Sequence, residues 1–166
     1  MKYFKGTIDF PSVFWFISSQ IGHARNVMNA DNNTKNKRYL RGDKEKHIDT
    51  IGVLGELIAV HWLTENKKEF QSCKLLDYTS VKAADIVYNK TRIDVKTNKH
   101  SKYTHLLVNK EAHLKGKGKI DFYWFIYLLN DTNAEHFLVP YSVVTGWESK
   151  IMKYTEAFYI KRDQLK

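Results

Sequence analysis

The chain has 166 residues, with 43% hydrophobic and 14% aromatic side chains and a formal net charge of +9. That length fits one domain, 1–166, large enough to bury a core, and the lack of any 18-residue apolar run argues against a membrane span. The single cysteine, Cys73, excludes an intrachain disulfide, argues against a cysteine-rich metal site and makes a reducing compartment such as the cytoplasm the expected home.

Lys2 and Lys5 precede an apolar run at 10–17, but Asp9 and Pro11 interrupt it and no small-x-small cleavage site follows closely. The segment therefore reads as a helix start rather than a signal peptide. A first helix is expected over 10–30, with Asp9 as a cap, Pro11 near the first turn and Val13, Phe14, Phe16, Ile17, Ile21 and Val27 on an apolar face. Residues 31–45 are polar and aperiodic, a basic loop with Lys35, Lys37, Arg38 and Arg41 available to phosphate.

A second helix is expected over 46–66. Between 51 and 63 almost every residue is apolar or glycine, Glu56 and His61 excepted. Such a helix is buried on more than one side, and a carboxylate in its middle is costly unless paired. Gly52 and Gly55 would allow another backbone to approach. His61 lies about 140° from Glu56 around the helix, so the two do not easily share a site.

Strands and short helical pieces follow. Strands are expected at 74–78, 84–88, 92–97 and 105–108, then a helical turn at 110–114. Residues 120–129 read as a central strand, continuously apolar because it is buried on both faces. Residues 134–139 pair with it through a turn at 130–133. A short helix at 140–147 and a last strand at 157–161 complete the pattern.

The two strands at 84–88 and 92–97 flank a turn at Asn89-Lys90. A symmetric turn there sets Tyr88 opposite Thr91 and Asp85 opposite Asp94. Directly opposed carboxylates, with Cβ atoms roughly 4.5–5.5 Å apart, repel each other and are tolerated most easily when a cation bridges them. Lys96, two residues beyond Asp94, points to the same face. Asp85 and Asp94 are thus candidate Mg2+ ligands, since that hard ion takes one or two carboxylates plus water and substrate phosphate. The plainer alternative is a pair of turn-flanking aspartates. Lys96 would orient or help deprotonate an attacking water and stabilise developing negative charge, or serve as a structural ion pair.

The spacing D-x8-D-x-K, with an apolar helix carrying Gly55-Glu56 upstream, resembles the PD-(D/E)XK nuclease superfamily over roughly residues 48–108. The residue before Asp85 is Ala84 instead of the proline of the motif. The resemblance implies an α/β fold with a mixed central sheet flanked by helices, a restriction-endonuclease-like core over about 46–139 and a C-terminal extension over 140–166. It implies Mg2+-dependent hydrolysis of phosphodiester bonds, most simply in DNA, with Mn2+ as a substitute. It also places Glu56 near Asp85, Asp94 and Lys96, and adds the main-chain carbonyl of Val95 as a further metal ligand. The alternative is a nucleic-acid-binding module that keeps the fold with little or no cleavage.

Charge placement points to the same partner. Residues 82–119 hold ten positive and three negative side chains, a footprint suited to a polyanion. Lys99, Lys102, Lys115, Lys117 and Lys119 are the candidate phosphate contacts, and Lys-Gly-Lys-Gly-Lys at 115–119 is a flexible basic loop. A chain this small acts as a homodimer if it is to cut both strands of a duplex. His61, His105 and His113 fit no zinc spacing. The aromatic run at 122–127 reads as core packing, and Cys73 as a buried apolar residue.

Overall fold

The computed structural model describes residues 4–32, 43–73, 75, 84–99, 105–152 and 155–165. The architecture is α/β. Chain order runs β1 (Phe4–Asp9), α1 (Val13–Asn32), α2 (Asp43–Glu65), β2 (Ser72–Cys73), β3 (Ile86–Tyr88), β4 (Thr91–Lys99), β5 (His105–Asn109), α3 (Lys110–Lys115), β6 (Phe122–Leu128), β7 (Asn133–Pro140), α4 (Tyr141–Val144), β8 (Glu148–Ile151) and β9 (Glu156–Lys161). A mixed six-stranded sheet has the order β1-β7-β6-β4-β3-β2, and a second sheet has the order β5-β9-β8. Within the large sheet only β4 and β6 are parallel. The connection between them carries β5 and α3, as parallel neighbours require a crossover.

Side-chain alternation builds two cores from one sheet. Trp124, Ile126 and Leu128 of β6 join Ile93 and Val95 of β4, and α2 covers them with Ile51, Leu54, Ile58, Ala59 and Leu63. Tyr123, Phe125 and Tyr127 face the other way and pack with Phe137, Val139, Leu106, Val108 and Phe158. The unbroken apolar run of β6 is therefore a strand buried on both faces. Each fully buried large side chain contributes about 1.5–3 kcal/mol, so β6 anchors both layers.

Two glycines set how closely α2 packs. A Cβ on Gly55 would come within 2.8 Å of the Thr97 Cβ on β4, and one on Gly22 of α1 would lie 2.8 Å from the Thr50 nitrogen. Gly52, expected to serve the same purpose, has nothing within 4 Å of its Cβ position.

The β3–β4 turn takes positive φ at both Asn89 (47°) and Lys90 (61°). That is the backbone of a two-residue hairpin whose twist matches its strands.

Several boundaries differ from expectation. The first helix spans Val13–Asn32 and the second Asp43–Glu65, so the basic loop expected over 31–45 is helical at 31–32 and 43–45. Its centre lies outside the described residues. The strand expected at 74–78 falls largely outside them too, and a two-residue strand sits just before it at Ser72–Cys73. β1 and β8 were not anticipated. β1 forms because its residues pair along β7, Phe4 with Leu138 through Asp9 with Asn133. That is a long-range partnership with no local signature. No helix among the described residues is long and apolar enough to cross a membrane.

Candidate active site

β3 and β4 pair antiparallel, with Tyr88 opposite Thr91, Val87 opposite Arg92 and Ile86 opposite Ile93. That is the register a symmetric turn at Asn89-Lys90 dictates. β3 then leaves the ladder at Asp85. The Asp85 amide donates to the Ile93 carbonyl at 2.9 Å, and its Oδ2 accepts the Val95 amide at 2.8 Å. The Asp85 carboxylate is buried and stands beside β4 where the neighbouring strand has run out. It caps a backbone N–H that burial would otherwise strand.

Asp94 precedes Val95 and faces the aromatic side of the sheet. Its register partner is Tyr123, and its carboxylate is ion-paired with the Lys96 ammonium. The Lys96 Nζ also lies 5.9 Å from the centre of the Tyr123 ring, within reach of a cation–π contact. Asp85, Asp94 and Lys96 are thus gathered around one short stretch of β4.

Glu56 is held elsewhere. It is buried, and both of its oxygens accept from Arg25 of α1, at 2.8 and 2.7 Å. This fork-on-fork geometry is the strongest form of carboxylate pairing. α2 lies against the face carrying Ile93 and Val95, whereas Asp94 and Lys96 belong to the opposite face. Among the described residues no group of three or more His, Cys, Asp and Glu side chains is placed to hold a metal. Asp85 and Asp94, rather than Glu56, are the carboxylates that could offer oxygen donors beside this stretch of β4. Two carboxylate oxygen donors match what Mg2+ takes from protein when water and phosphate fill its other positions.

Beneath Asp94 and Lys96 lies a polar layer that no local sequence pattern marks. Burial, and then the Asp94 charge, push the Tyr123 phenol well above its usual value. The Tyr123 hydroxyl is 3.0 Å from His113 Nδ1, and His113 Nε2 is 3.0 Å from Thr145 Oγ1. The His113 ring stacks on Tyr141 at 3.9 Å. Burial pushes the His113 imidazole below its ordinary value, so the layer contributes no charge at neutral pH. The even spacing of Lys96, Asp94 and Arg92 was visible in the sequence, but the tyrosine and histidine under them come from two other elements.

Arg92 is the second unanticipated residue. It lies on the Asp94 face and grips Asp121 through Nε at 2.9 Å and Nη2 at 2.8 Å, and Gly118 through its carbonyl at 2.5 Å. The Arg92 guanidinium holds the Asp121 carboxyl below its usual range. This clamp fastens the turn after α3 to the start of β4, and Lys117 and Lys119 flank Gly118 on that turn, whereas Lys115, expected in the loop, is the last residue of α3. Lys115 pairs with Glu111 at 2.5 Å. Lys99 takes another position, 5.6 Å over the Trp15 ring on α1, on the α2 side of the sheet. Lys102 and the side chain of Cys73 lie outside the described residues. His61 meets Phe14 edge-on at 5.4 Å and His105 meets Tyr159 at 5.7 Å, both as packing contacts.

Compared with known protein families and with curated proteins, the chain matches no family model and no curated relative.

Proposed function

We propose that the chain is a Mg2+-dependent nuclease acting on DNA, related to the PD-(D/E)XK superfamily. The observation that carries this reading is the gathering of Asp85, Asp94 and Lys96 around one stretch of β4, with the Arg92-anchored lysine loop beside it. Asp85 and Asp94 would hold the ion. When bound, Mg2+ supplies polarisation of the scissile phosphate and a water of lowered pKa. Asp85 keeps its orientation through the Val95 amide. Lys96, held beside Asp94, would position the attacking water and offset negative charge on the phosphate. Lys117 and Lys119 draw the polyanion in. Glu56 serves in this reading as the partner of Arg25 rather than as a ligand, and the Val95 carbonyl remains an implied further donor.

A second reading has its own support. The pairs Asp94–Lys96 and Glu56–Arg25 neutralise two of the three carboxylates without metal, as a nucleic-acid-binding module without cleavage would allow. One experiment separates the two. Plasmid, linear duplex, single-stranded DNA and RNA are incubated with the protein in Mg2+, Mn2+ or EDTA, alongside Asp94→Ala. The nuclease reading expects metal-dependent cleavage that falls by about a thousandfold or more in the variant, while binding persists. Binding without cleavage by the parent protein favours the module. Equal cleavage by parent and variant removes Asp94 from the chemistry.

A further inference from the structure

β8 is the outer strand of the second sheet, paired among the described residues with β9 alone. All four of its residues are exposed, Ile151 by 83%, and Met152 follows at 40%. An open edge carrying a large apolar side chain is a template for another strand. Charges on such an edge usually repel partners, and Glu148 and Lys150 would do so against most sequences. Against a second copy of the same strand they do the opposite. When two copies run antiparallel about a two-fold axis at Ser149, Glu148 of each faces Lys150 of the other. Ser149 faces Ser149, and Ile151 of each lies at the end of its strand across from the residue that precedes the other. Opposite charges directly across a ladder are a favoured cross-strand pair. A slip of one residue in either direction loses both ion pairs.

The side chains of β8 are already tied to β9. The Tyr159 hydroxyl donates to Glu148 at 2.8 Å, and the Ser149 hydroxyl donates to Glu156 at 2.6 Å. Trp147 stacks on Phe125 at 5.8 Å and forms one wall of a cleft of about 260 Å3 with Tyr159, Ile160 and Gln164. The incoming Ile151 arrives beside this wall.

We propose that β8 is a homodimer seam, self-complementary through the run Trp147-Glu148-Ser149-Lys150-Ile151, which joins two β5-β9-β8 sheets into one continuous sheet. The interface is isologous, as a two-fold dimer requires. It stands independently of the chemistry at Asp94.

Sedimentation equilibrium over a concentration series tests it on the full chain, with Glu148→Lys, Lys150→Glu and the double variant. The parent is expected to dimerise. Each single change sets like charges opposite each other twice and weakens the dimer about tenfold or more. The double variant restores opposite charges and returns to within about threefold of the parent. A second measurement holds even if a charge reversal fails to fold: in a Cys73→Ser background, Ser149→Cys forms an intermolecular disulfide on mild oxidation, whereas Glu148→Cys does not. A parent that stays monomeric, a double variant as weak as the singles, or no cross-link at position 149 overturns the proposal.

Discussion

The two faces of β4 are built to different rules. Ile93, Val95 and Thr97 look into a buried layer under α2. Arg92, Asp94, Lys96 and Asn98 look the other way, and each has a polar engagement: Asp121, Lys96, Asp94 and the Tyr127 hydroxyl respectively. One strand thus separates an apolar packing face from a polar face by the two-residue period of its backbone. A change on the α2 face should move the melting temperature and leave the site's chemistry alone. A change on the Asp94 face should do the reverse. Glu56 is the residue that tests the division, because the motif assigns it to the site while its hydrogen bonds assign it to α1.

The largest expected effect follows from that conflict. Arg25→Ala removes the bidentate partner of a buried carboxylate. Breaking a buried pair from one side costs about 3–5 kcal/mol, read as a loss of unfolding free energy in urea. Arg25→Ala combined with Glu56→Ala should recover part of that loss, since the carboxylate left behind causes much of it. Any cleavage activity of the folded fraction should stay close to that of the parent. If the single variant is as stable as the parent but inactive, Glu56 belongs to the site after all and the division between the faces fails.

Much of this was legible in the chain. The Asn89-Lys90 turn fixed the β3–β4 register, because a two-residue loop with alternating apolar flanks leaves few pairings. The strand at 122–128 declared itself by being apolar on both faces. Glu56 was conspicuous in an apolar helix, but the sequence could not say which cation would meet it, because Arg25 lies on another helix. Asp85 was expected simply to face Asp94. Its departure from the ladder to cap the Val95 amide depends on where β3 ends, which no local pattern marks. β1 and β8 escaped for a related reason. β1 exists through β7, at the far end of the chain, and β8 is a short exposed strand of mixed charge with no apolar alternation to announce it.

A smaller effect concerns acid stability, again on the α2 side. His136 is buried, and its Nδ1 accepts the Trp124 indole N–H at 2.9 Å, which requires that nitrogen to be unprotonated. Burial lowers its pKa to about 4, against about 6.5 for an unfolded histidine. Between these values the unfolded chain binds the extra proton and the folded chain does not. The stabilisation from a neutral His136 is therefore complete above about pH 6.5 and is lost as pH falls toward 4, amounting to about 3 kcal/mol. Denaturant midpoints from pH 7 to pH 4 should fall along this limb, and His136→Gln, which keeps an acceptor for Trp124, should flatten it. An unchanged slope would mean that His136 is protonated in the folded protein and that this layer is wetter than its burial implies.

The smallest effect concerns the buried layer itself. Thr97 stands against Gly55, and its Oγ1 is buried with no hydrogen-bond partner among the described residues. A hydroxyl in that position pays its desolvation without return, a cost of about 1–3 kcal/mol. Thr97→Val keeps the branched shape and sets a methyl group where Oγ1 now lies closest to Gly55, so tighter packing offsets part of the gain from removing the hydroxyl. It should raise stability by about 1 kcal/mol, seen as a higher denaturant midpoint with an unchanged slope. The same change one residue away would behave otherwise, since Lys96 and Asn98 point to the polar side. If Thr97→Val destabilises, the hydroxyl has a partner under α2, and the contrast between the two faces of β4 is one of degree. If it stabilises and leaves cleavage unaltered, Thr97 falls with Ile93 and Val95 on the face that only packs.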